Sequence, residues 1–390
     1  MKMSSRGGYY RTIGRLLGNA LGFRLARLRA APLKPEVVSL AVTSLCCSRC
    51  IMCNIWRTAT EIPDITNREL SATEIIDLFS RPLFSNLVEL DLTGGEPPLR
   101  DDLAEIVLNI AALKSTFLPR LKTIVLTSNG LIPERIIRNC RKILEGIRGT
   151  GIDFVTVASI DGIGKTHDEV RGVESGFARA VRTIDGLLKL RDEYGDYFIG
   201  LKTTVLPQNI DSLDAILDFA IEKNLFNIIS PVFFTEARFQ NSDSRDTLEL
   251  GADGRKKLLA FYNRSDTGTN YFYSRIREYL TTGRKSWSCT AAYNYIFIEH
   301  DGTVYPCELL AEPIGNIREQ SIEDIWNGMS IRGRRDRTGK TEQCRNCIEP
   351  GAVRYSACAE GLSYLGFLRE LGSRRYRETL DGEGFNKYIL

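Results

Sequence analysis

The chain has 390 residues, 43% hydrophobic and 26% charged, which are the proportions of a globular protein able to bury one large α/β core or two domains. A formal charge of +3 argues against wholesale nucleic-acid binding, and only 2 His leave little means for histidine-centred hydrolysis. Ten cysteines without a secretory leader point to a reducing, cytoplasmic setting in which thiols are free to hold metal.

Residues 1–34 stand apart. Lys2, Arg6, Arg11, Arg15, Arg24, Arg27, Arg29 and Lys34 are basic, and no acidic residue precedes Glu36. Ile13, Leu16, Leu17, Ala20, Leu21, Leu25 and Leu28 recur at three- and four-residue spacing, which predicts an amphipathic helix. Arg15 and Arg24 interrupt the apolar run, so it is too short to cross a bilayer. Two readings stay open: peripheral contact with an anionic membrane surface or an acidic or lipid-linked partner, and a solvated helix packed on the next domain.

From Glu36 onward strand and helix signals alternate. Val37–Val42 is a β-branched run that predicts a strand, and it leads directly into Cys46-Cys47-Ser48-Arg49-Cys50-Ile51-Met52-Cys53. Ser71 and Glu74 form a capping box ahead of a helix. Further strands are predicted at Leu87–Leu92, Thr123–Leu126, Phe154–Ile160, Phe198–Val205 and Asn227–Phe234. Helices are predicted through Leu103 to Ile110, from Pro133 to about Leu144, and at Phe177–Leu190 and Leu213–Lys223. Six strands joined by helical crossovers predict a partial (β/α)6 parallel barrel, with functional residues just past the strand ends. Residues 235–285 read as polar loops with one helical stretch, Arg255 to Phe261.

Three thiolates on one short loop suit an iron–sulfur cube and leave one of its four irons open; a disulfide or a zinc site is the plainer alternative. The C-x₃-C-x₂-C spacing resembles the radical S-adenosylmethionine (SAM) superfamily. That resemblance implies a [4Fe–4S] cluster on Cys46, Cys50 and Cys53 whose open iron chelates SAM, and reductive cleavage of SAM to a 5′-deoxyadenosyl radical. It also implies cofactor-binding roles for residues at successive strand ends. Gly94, Gly95 and Glu96 match the G-G-E motif that meets the SAM amino group, and Met52 takes the position beside the adenine. Ser128 and Asn129, then Ser159 and Asp161, resemble positions around SAM and its ribose, with Lys202, Thr203 and Thr204 as looser matches. Taken singly, each motif also reads as a tight turn or a helix cap. His167-Asp168-Glu169-Val170-Arg171-Gly172 resembles a stretch common in the subgroup with auxiliary clusters, and its His167 is expected to fix a loop rather than act as a base.

A second module follows. Ile296–Ile298 and Thr303–Tyr305 flank Asp301-Gly302, a β-hairpin signal. Cys289, Cys307, Cys344 and Cys347 in the order C…G-x₄-C…C-x₂-C resemble the twitch module, a shortened SPASM domain, and imply a second [4Fe–4S] cluster; a zinc ribbon is the alternative. The organisation expected is 1–34 basic segment, 35–245 barrel, 246–285 helical connection, 286–360 hairpin-containing iron–sulfur module and 361–390 tail. Four cysteines leave no open iron on the second cluster, which implies an electron conduit and a net dehydrogenation of a small-molecule, sugar or lipid-linked substrate. A peptide maturase and a redox-neutral epimerase are the alternatives, and an epimerase would need a hydrogen donor, for which Cys358 is the candidate. An external flavodoxin- or ferredoxin-type electron donor is implied in every case. A non-catalytic iron–sulfur or zinc protein would need neither the G-G-E motif nor the polar strand ends.

Overall fold

A computed structural model describes residues 5–264, 267, 270–372 and 375–389, so Lys2 lies outside the described residues. In chain order, α1 (Ser5–Leu28) precedes β1 (Val37–Thr43), α2 (Ile55–Glu61) and α3 (Ala72–Phe79). Then come β2 (Glu89–Gly94), α4 (Leu103–Ala112), β3 (Thr123–Ser128), α5 (Pro133–Ile147), β4 (Asp153–Ser159), α6 (Lys165–Arg171) and α7 (Gly176–Tyr194). β5 (Tyr197–Val205), α8 (Leu213–Glu222) and β6 (Phe226–Pro231) complete the alternation, followed by α9 (Arg245–Leu248), α10 (Ala252–Tyr262) and α11 (Tyr271–Thr282). The remaining elements are β7 (Tyr295–Ile298), β8 (Thr303–Tyr305), β9 (Gly315–Asn316), α12 (Ile322–Asn327), α13 (Met329–Arg337), α14 (Glu342–Arg345), α15 (Pro350–Glu360), α16 (Leu362–Leu371), α17 (Tyr376–Gly382) and α18 (Asn386–Ile389).

Two compact units divide the chain. A barrel unit comprises Pro35–Gly254 with Ile296–Ile325, and a helical unit comprises Met1–Lys34, Arg255–Tyr295 and Trp326–Leu390.

In the barrel unit one sheet runs in the order β6-β5-β4-β3-β2-β1-β7-β8-β9. The first six strands are parallel neighbours in chain order, with pairs such as Val38↔Leu90, Leu92↔Leu126 and Val157↔Gly200. That is the partial (β/α)6 barrel expected of strands joined by helices on their outer face. Every residue of β1 is buried, as an apolar run covered on both faces should be. The hairpin forms at its predicted place, with Phe297↔Tyr305 and Ile298↔Val304 antiparallel. Ser71 and Glu74 cap α3 reciprocally, and Glu74 also takes a bidentate Arg318, with Nε to Oε1 at 2.6 Å.

Two expectations differ in extent. The last parallel strand ends at Pro231, three residues before the predicted Phe234, because the following loop is held by side-chain bonds: Asn241 accepts from the Thr235 N–H at 2.9 Å and donates to the Phe233 carbonyl at 2.9 Å. Tyr271–Thr282, within residues read as loop, is a helix capped by Asn270, whose side chain accepts from the Tyr273 N–H at 3.1 Å. Its buried face is built from Tyr271, Tyr273 and Ile276, and aromatic rings interleaved with Ser and Arg gave little apolar period.

In the helical unit α1 is a helix as predicted. Leu16, Ala20 and Phe23 are buried, Asn19 donates to the Cys358 carbonyl of α15 at 3.0 Å, and Phe23 meets Tyr293 edge-on at 5.3 Å. Gly361, at φ +75°, lets the start of α16 approach α1; a Cβ there would lie 2.3 Å from the Leu16 carbonyl oxygen. A buried aromatic cluster of Tyr271, Tyr364, Phe367 and Phe385 encloses the carboxyl of Glu383, which accepts from the Tyr364 hydroxyl at 3.1 Å and from the Tyr271 N–H. Burial pushes the Glu383 pKa from 4.5 up to about 8. The folded form then holds a proton that the unfolded chain has released, so stability is full below about pH 4.5 and falls as pH rises to about 8. Glu383→Gln keeps a neutral acceptor in place. Urea midpoints measured at pH 5, 6.5 and 8 should fall less for the variant than for the wild type; identical slopes would show that Glu383 does not titrate in this window.

Candidate active site

The site begins with two backbone contacts that only glycine permits. The Gly95 N–H donates to the Thr43 carbonyl at 2.8 Å and the Glu96 N–H to the Leu45 carbonyl at 2.6 Å. A Cβ on Gly94 (φ +132°) would lie 2.2 Å from Thr43 O, and one on Gly95 would lie 2.1 Å from Leu45 O. The two glycines therefore bring the end of β2 against the chain that enters the cysteine loop.

Glu96 is thereby buried, 1% exposed, beyond the strand end. Its Oε1 accepts from the Ser128 hydroxyl at 2.5 Å and its Oε2 from the Asn129 N–H at 2.7 Å. Asn129 Nδ2 in turn lies 3.4 Å from Cys47 Sγ and 3.8 Å from Cys46 Sγ. Glu96, Ser128, Asn129 and the first cysteine of the triplet thus form one connected group. Burial raises the Glu96 carboxyl to about 7 despite those two donors and the charge of Arg171.

The other side of the loop is gripped by α6. The Arg171 carbonyl accepts from the Arg49 N–H at 2.9 Å and the Ser48 hydroxyl at 3.1 Å, and the Val170 carbonyl accepts from the Ile51 N–H at 3.0 Å. Gly172 (φ +63°) closes the helix where a Cβ would lie 2.4 Å from Arg49 O. The Arg171 guanidinium reaches Cys50 Sγ at 3.6 Å and pairs with Asp161 Oδ2 at 2.5 Å. Asp161 is fully buried: its Oδ1 accepts from the Thr204 N–H at 2.7 Å, and its own N–H donates to His167 Nδ1 at 3.1 Å. His167 thus fixes the loop after β4, and burial lowers its pKa to about 4, keeping it neutral.

Met52 packs with Cys50, Val170, Leu206 and Leu248 in an apolar cluster, and its carbonyl accepts from Asn241 Nδ2 at 2.8 Å. Ser159 is buried in register with Lys202 at the end of β4; among the described residues it takes no part in the network joining Glu96 to the cysteines. Thr203 donates to the Ile160 carbonyl at 2.6 Å, while Lys202 is only half-buried.

Two residues at this site were not among the candidates. Arg171 had a signal, since it lies inside the H-D-E-V-R-G stretch. Arg238 had none, because it sits in a polar loop. Its side chain is nonetheless buried, donating to Thr93 Oγ1 at 3.0 Å, paired with Glu299 at 3.2 Å and Glu308 at 3.6 Å, and lying 4.4 Å over the Phe297 ring.

Burial and the neighbouring Cys50 push Cys53 up to about 12, opposed by the Ile55 N–H, Arg238 and Arg171, and burial pushes Cys46 up as well. Thiols held this way lose their protons when a metal takes its place, and both guanidiniums then compensate the thiolate charge. Among the described residues no three His, Cys, Asp or Glu converge on a single-ion site. The loop fits a cluster shared by several thiolates: Cys46, Cys50 and Cys53 would hold it, with Asn129 Nδ2 3.8 Å from Cys46 Sγ and the Arg171 guanidinium 3.6 Å from Cys50 Sγ placed to donate to those sulfurs.

The remaining thiols are placed by their own units. In the helical unit Cys289 Sγ lies 3.9 Å from the Tyr355 hydroxyl, Thr341 caps the turn bearing Cys344, and Lys285 Nζ donates to the Cys344 carbonyl at 3.2 Å. Burial pushes Cys347 up to about 12. In the barrel unit Cys307 follows β8, where its Sγ accepts from the Leu309 N–H at 3.5 Å. Cys358 and Cys140 are buried, the latter 3.7 Å from Thr156 Oγ1, and Cys47 is exposed.

A partial (β/α)6 barrel with three cysteines after its first strand and a G-G-E at the end of its second, its Glu96 buried, defines a radical SAM enzyme. Residues 40–220 match the radical SAM superfamily model and residues 289–348 match SPASM, an iron–sulfur cluster-binding domain, so the chain carries both domains. Its cofactors are accordingly SAM, a [4Fe–4S] cluster and additional iron–sulfur in the SPASM domain. The chain is similar to an AdoMet-dependent heme synthase of Methanosarcina barkeri, 26% identical over 322 residues (76% of this chain, 83% of the relative). It is similar also to an Fe-coproporphyrin III synthase of the same organism, 25% identical (76% and 75%), and to a PqqA peptide cyclase of Ruegeria pomeroyi, 24% identical (75% and 76%).

Proposed function

We propose that the enzyme carries out a net oxidation at an unactivated C–H of a small-molecule substrate. Cys46, Cys50 and Cys53 hold the first cluster, and Glu96 takes the SAM ammonium. Met52, Gly94, Gly95, Ser128, Asn129, Ser159 and Asp161 shape the rest of that cofactor site. When bound, cluster and SAM together supply a carbon-centred radical able to remove one hydrogen atom from such a carbon. The protein's residues orient SAM and keep water from the site. The substrate radical must then lose one further electron and a proton; Cys289, Cys307, Cys344 and Cys347 would hold a second cluster, which would supply the acceptor for that electron. One observation carries this reading: the division of seven cysteines into an open triplet and a set of four, the latter in the span that matches an iron–sulfur domain. A flavodoxin- or ferredoxin-type protein supplies the priming electron.

The names of two relatives make an iron tetrapyrrole the first substrate to try, with a sugar or lipid-linked intermediate next. The peptide cyclase favours a second reading, peptide maturation. The test is anaerobic incubation with SAM, reductant and Fe-coproporphyrin III in deuterated water. The expected product has lost hydrogen and gained no solvent deuterium, and the auxiliary cluster is reduced by electron paramagnetic resonance. An isomeric, deuterated product would make the enzyme an epimerase, and conversion of peptides alone would favour the second reading. Zinc in place of the second cluster would remove the electron exit.

Glu96 gives a separate test. Glu96→Ala should leave the first cluster assembled, yet weaken SAM binding by about 10- to 100-fold, the worth of a charge-assisted hydrogen bond. An unchanged SAM affinity by equilibrium dialysis would assign Glu96 a purely structural role.

A further inference from the structure

Helix α1 buries one face and leaves a second apolar face open. Leu16, Ala20, Phe23 and Ala26 are buried inside the helical unit. Tyr10, Leu17, Leu21, Leu25 and Leu28 are 68%, 45%, 62%, 41% and 84% exposed. At 100° per residue, these five fall within an arc of about 80°, roughly opposite the buried face. Arg11, Arg15 and Arg29 border that arc on one side and Arg24 on the other, all exposed, and no acidic residue precedes Glu36. Scattered exposed leucines need no explanation, but five large apolar side chains in register, with Arg24 on one flank and Arg11, Arg15 and Arg29 on the other, do.

We propose that α1 is an interfacial helix that seats the protein on an anionic membrane surface. The pattern is that of helices lying in the plane of the headgroups: an apolar stripe enters the acyl boundary and flanking arginines meet lipid phosphates. Charge selects the occupant. An anionic leaflet attracts an uninterrupted basic segment over its whole length, whereas a second copy of the same face would set like charges against each other. No helix among the described residues is long and apolar enough to cross a membrane, so the contact is at the surface. The helix is already ordered by its buried face, by Asn19 on the Cys358 carbonyl and by the close approach at Gly361, so binding does not bear the cost of folding a free peptide. Such seating gives the enzyme access to substrates that partition into lipid.

The test is co-sedimentation of the reconstituted full chain with vesicles of phosphatidylcholine containing about 30% phosphatidylglycerol, and with phosphatidylcholine alone. Binding is expected to the anionic vesicles and to fall with added salt. Leu21→Glu with Leu25→Glu alters only exposed positions, so iron content and near-ultraviolet dichroism should match the wild type while partition drops at least about tenfold. Arg11→Gln, Arg15→Gln and Arg29→Gln together should weaken it comparably. Equal partition of the wild type and the Leu21/Leu25 variant would overturn the proposal. So would the absence of vesicle binding together with a dimer that the same variant dissociates, which would assign the stripe to a second copy.

Discussion

Replacing Cys46, Cys50 and Cys53 with Ala should abolish SAM cleavage and remove about four irons per chain while the SPASM cluster remains. The expectation follows from how the loop is built. Its fold is held by contacts that do not involve the cysteine sulfurs: the Arg171 and Val170 carbonyls on Arg49 and Ile51, and the Met52 carbonyl on Asn241. The variant should therefore keep its barrel and its circular dichroism, and what it loses is metal. Losing even one thiolate leaves the cube with too few protein ligands to stay, so single variants should approach the triple variant in effect. Iron and sulfide assays with anaerobic SAM turnover decide the matter. A triple variant that retains its iron, or still forms deoxyadenosine, would show that the cluster sits elsewhere.

Much of this was legible because the relevant signals are local. The parallel strands are apolar runs punctuated by polar residues; the triplet starts just past β1, and Gly94-Gly95-Glu96 and Ser128-Asn129 begin on the last residues of β2 and β3. Any chain that alternates strand and crossover brings those ends to one side. The hairpin around Asp301-Gly302 was legible for the same reason. What was not legible is what the residues do to one another over long sequence distances. Gly94 and Gly95 could be read as bringing backbone close to a ligand, but their first contact is with Thr43 and Leu45 of this same chain. Asp161 reads as a polar strand-end group, whereas its carboxylate is spent on Arg171 and the Thr204 N–H. Arg238 escapes altogether, since a buried arginine in a polar loop looks like any solvated one until Glu299, Glu308 and Phe297 are placed around it. Helix α11 escapes because Tyr271, Tyr273 and Ser274 share its buried face with a single aliphatic residue, Ile276, so the aliphatic period that marks a helix is missing.

The second large effect is expected at Arg171. Its guanidinium is the cation beside Cys50 Sγ at 3.6 Å, and it is itself buried against Asp161 at 2.5 Å. A positive charge next to a cluster thiolate favours the reduced state, which carries one more negative charge. Arg171→Gln should therefore lower the midpoint potential of the first cluster by tens of millivolts, on the order expected when charge and hydrogen bonding at the sulfurs change. The same substitution leaves Asp161 buried without its partner, at a cost of about 3–5 kcal/mol, so the single variant is expected to be markedly less stable. Asp161→Asn combined with Arg171→Gln separates the two effects. That pair is neutral and can still hydrogen-bond, so stability should return toward the wild type. The potential should stay lower than in the wild type, and reduction by a flavodoxin-type donor should stay slow. Redox titration followed by electron paramagnetic resonance, alongside urea denaturation, reads both quantities. If the double variant recovers stability and keeps the wild-type potential, Arg171 serves only to brace the cysteine loop through its carbonyl and its ion pair.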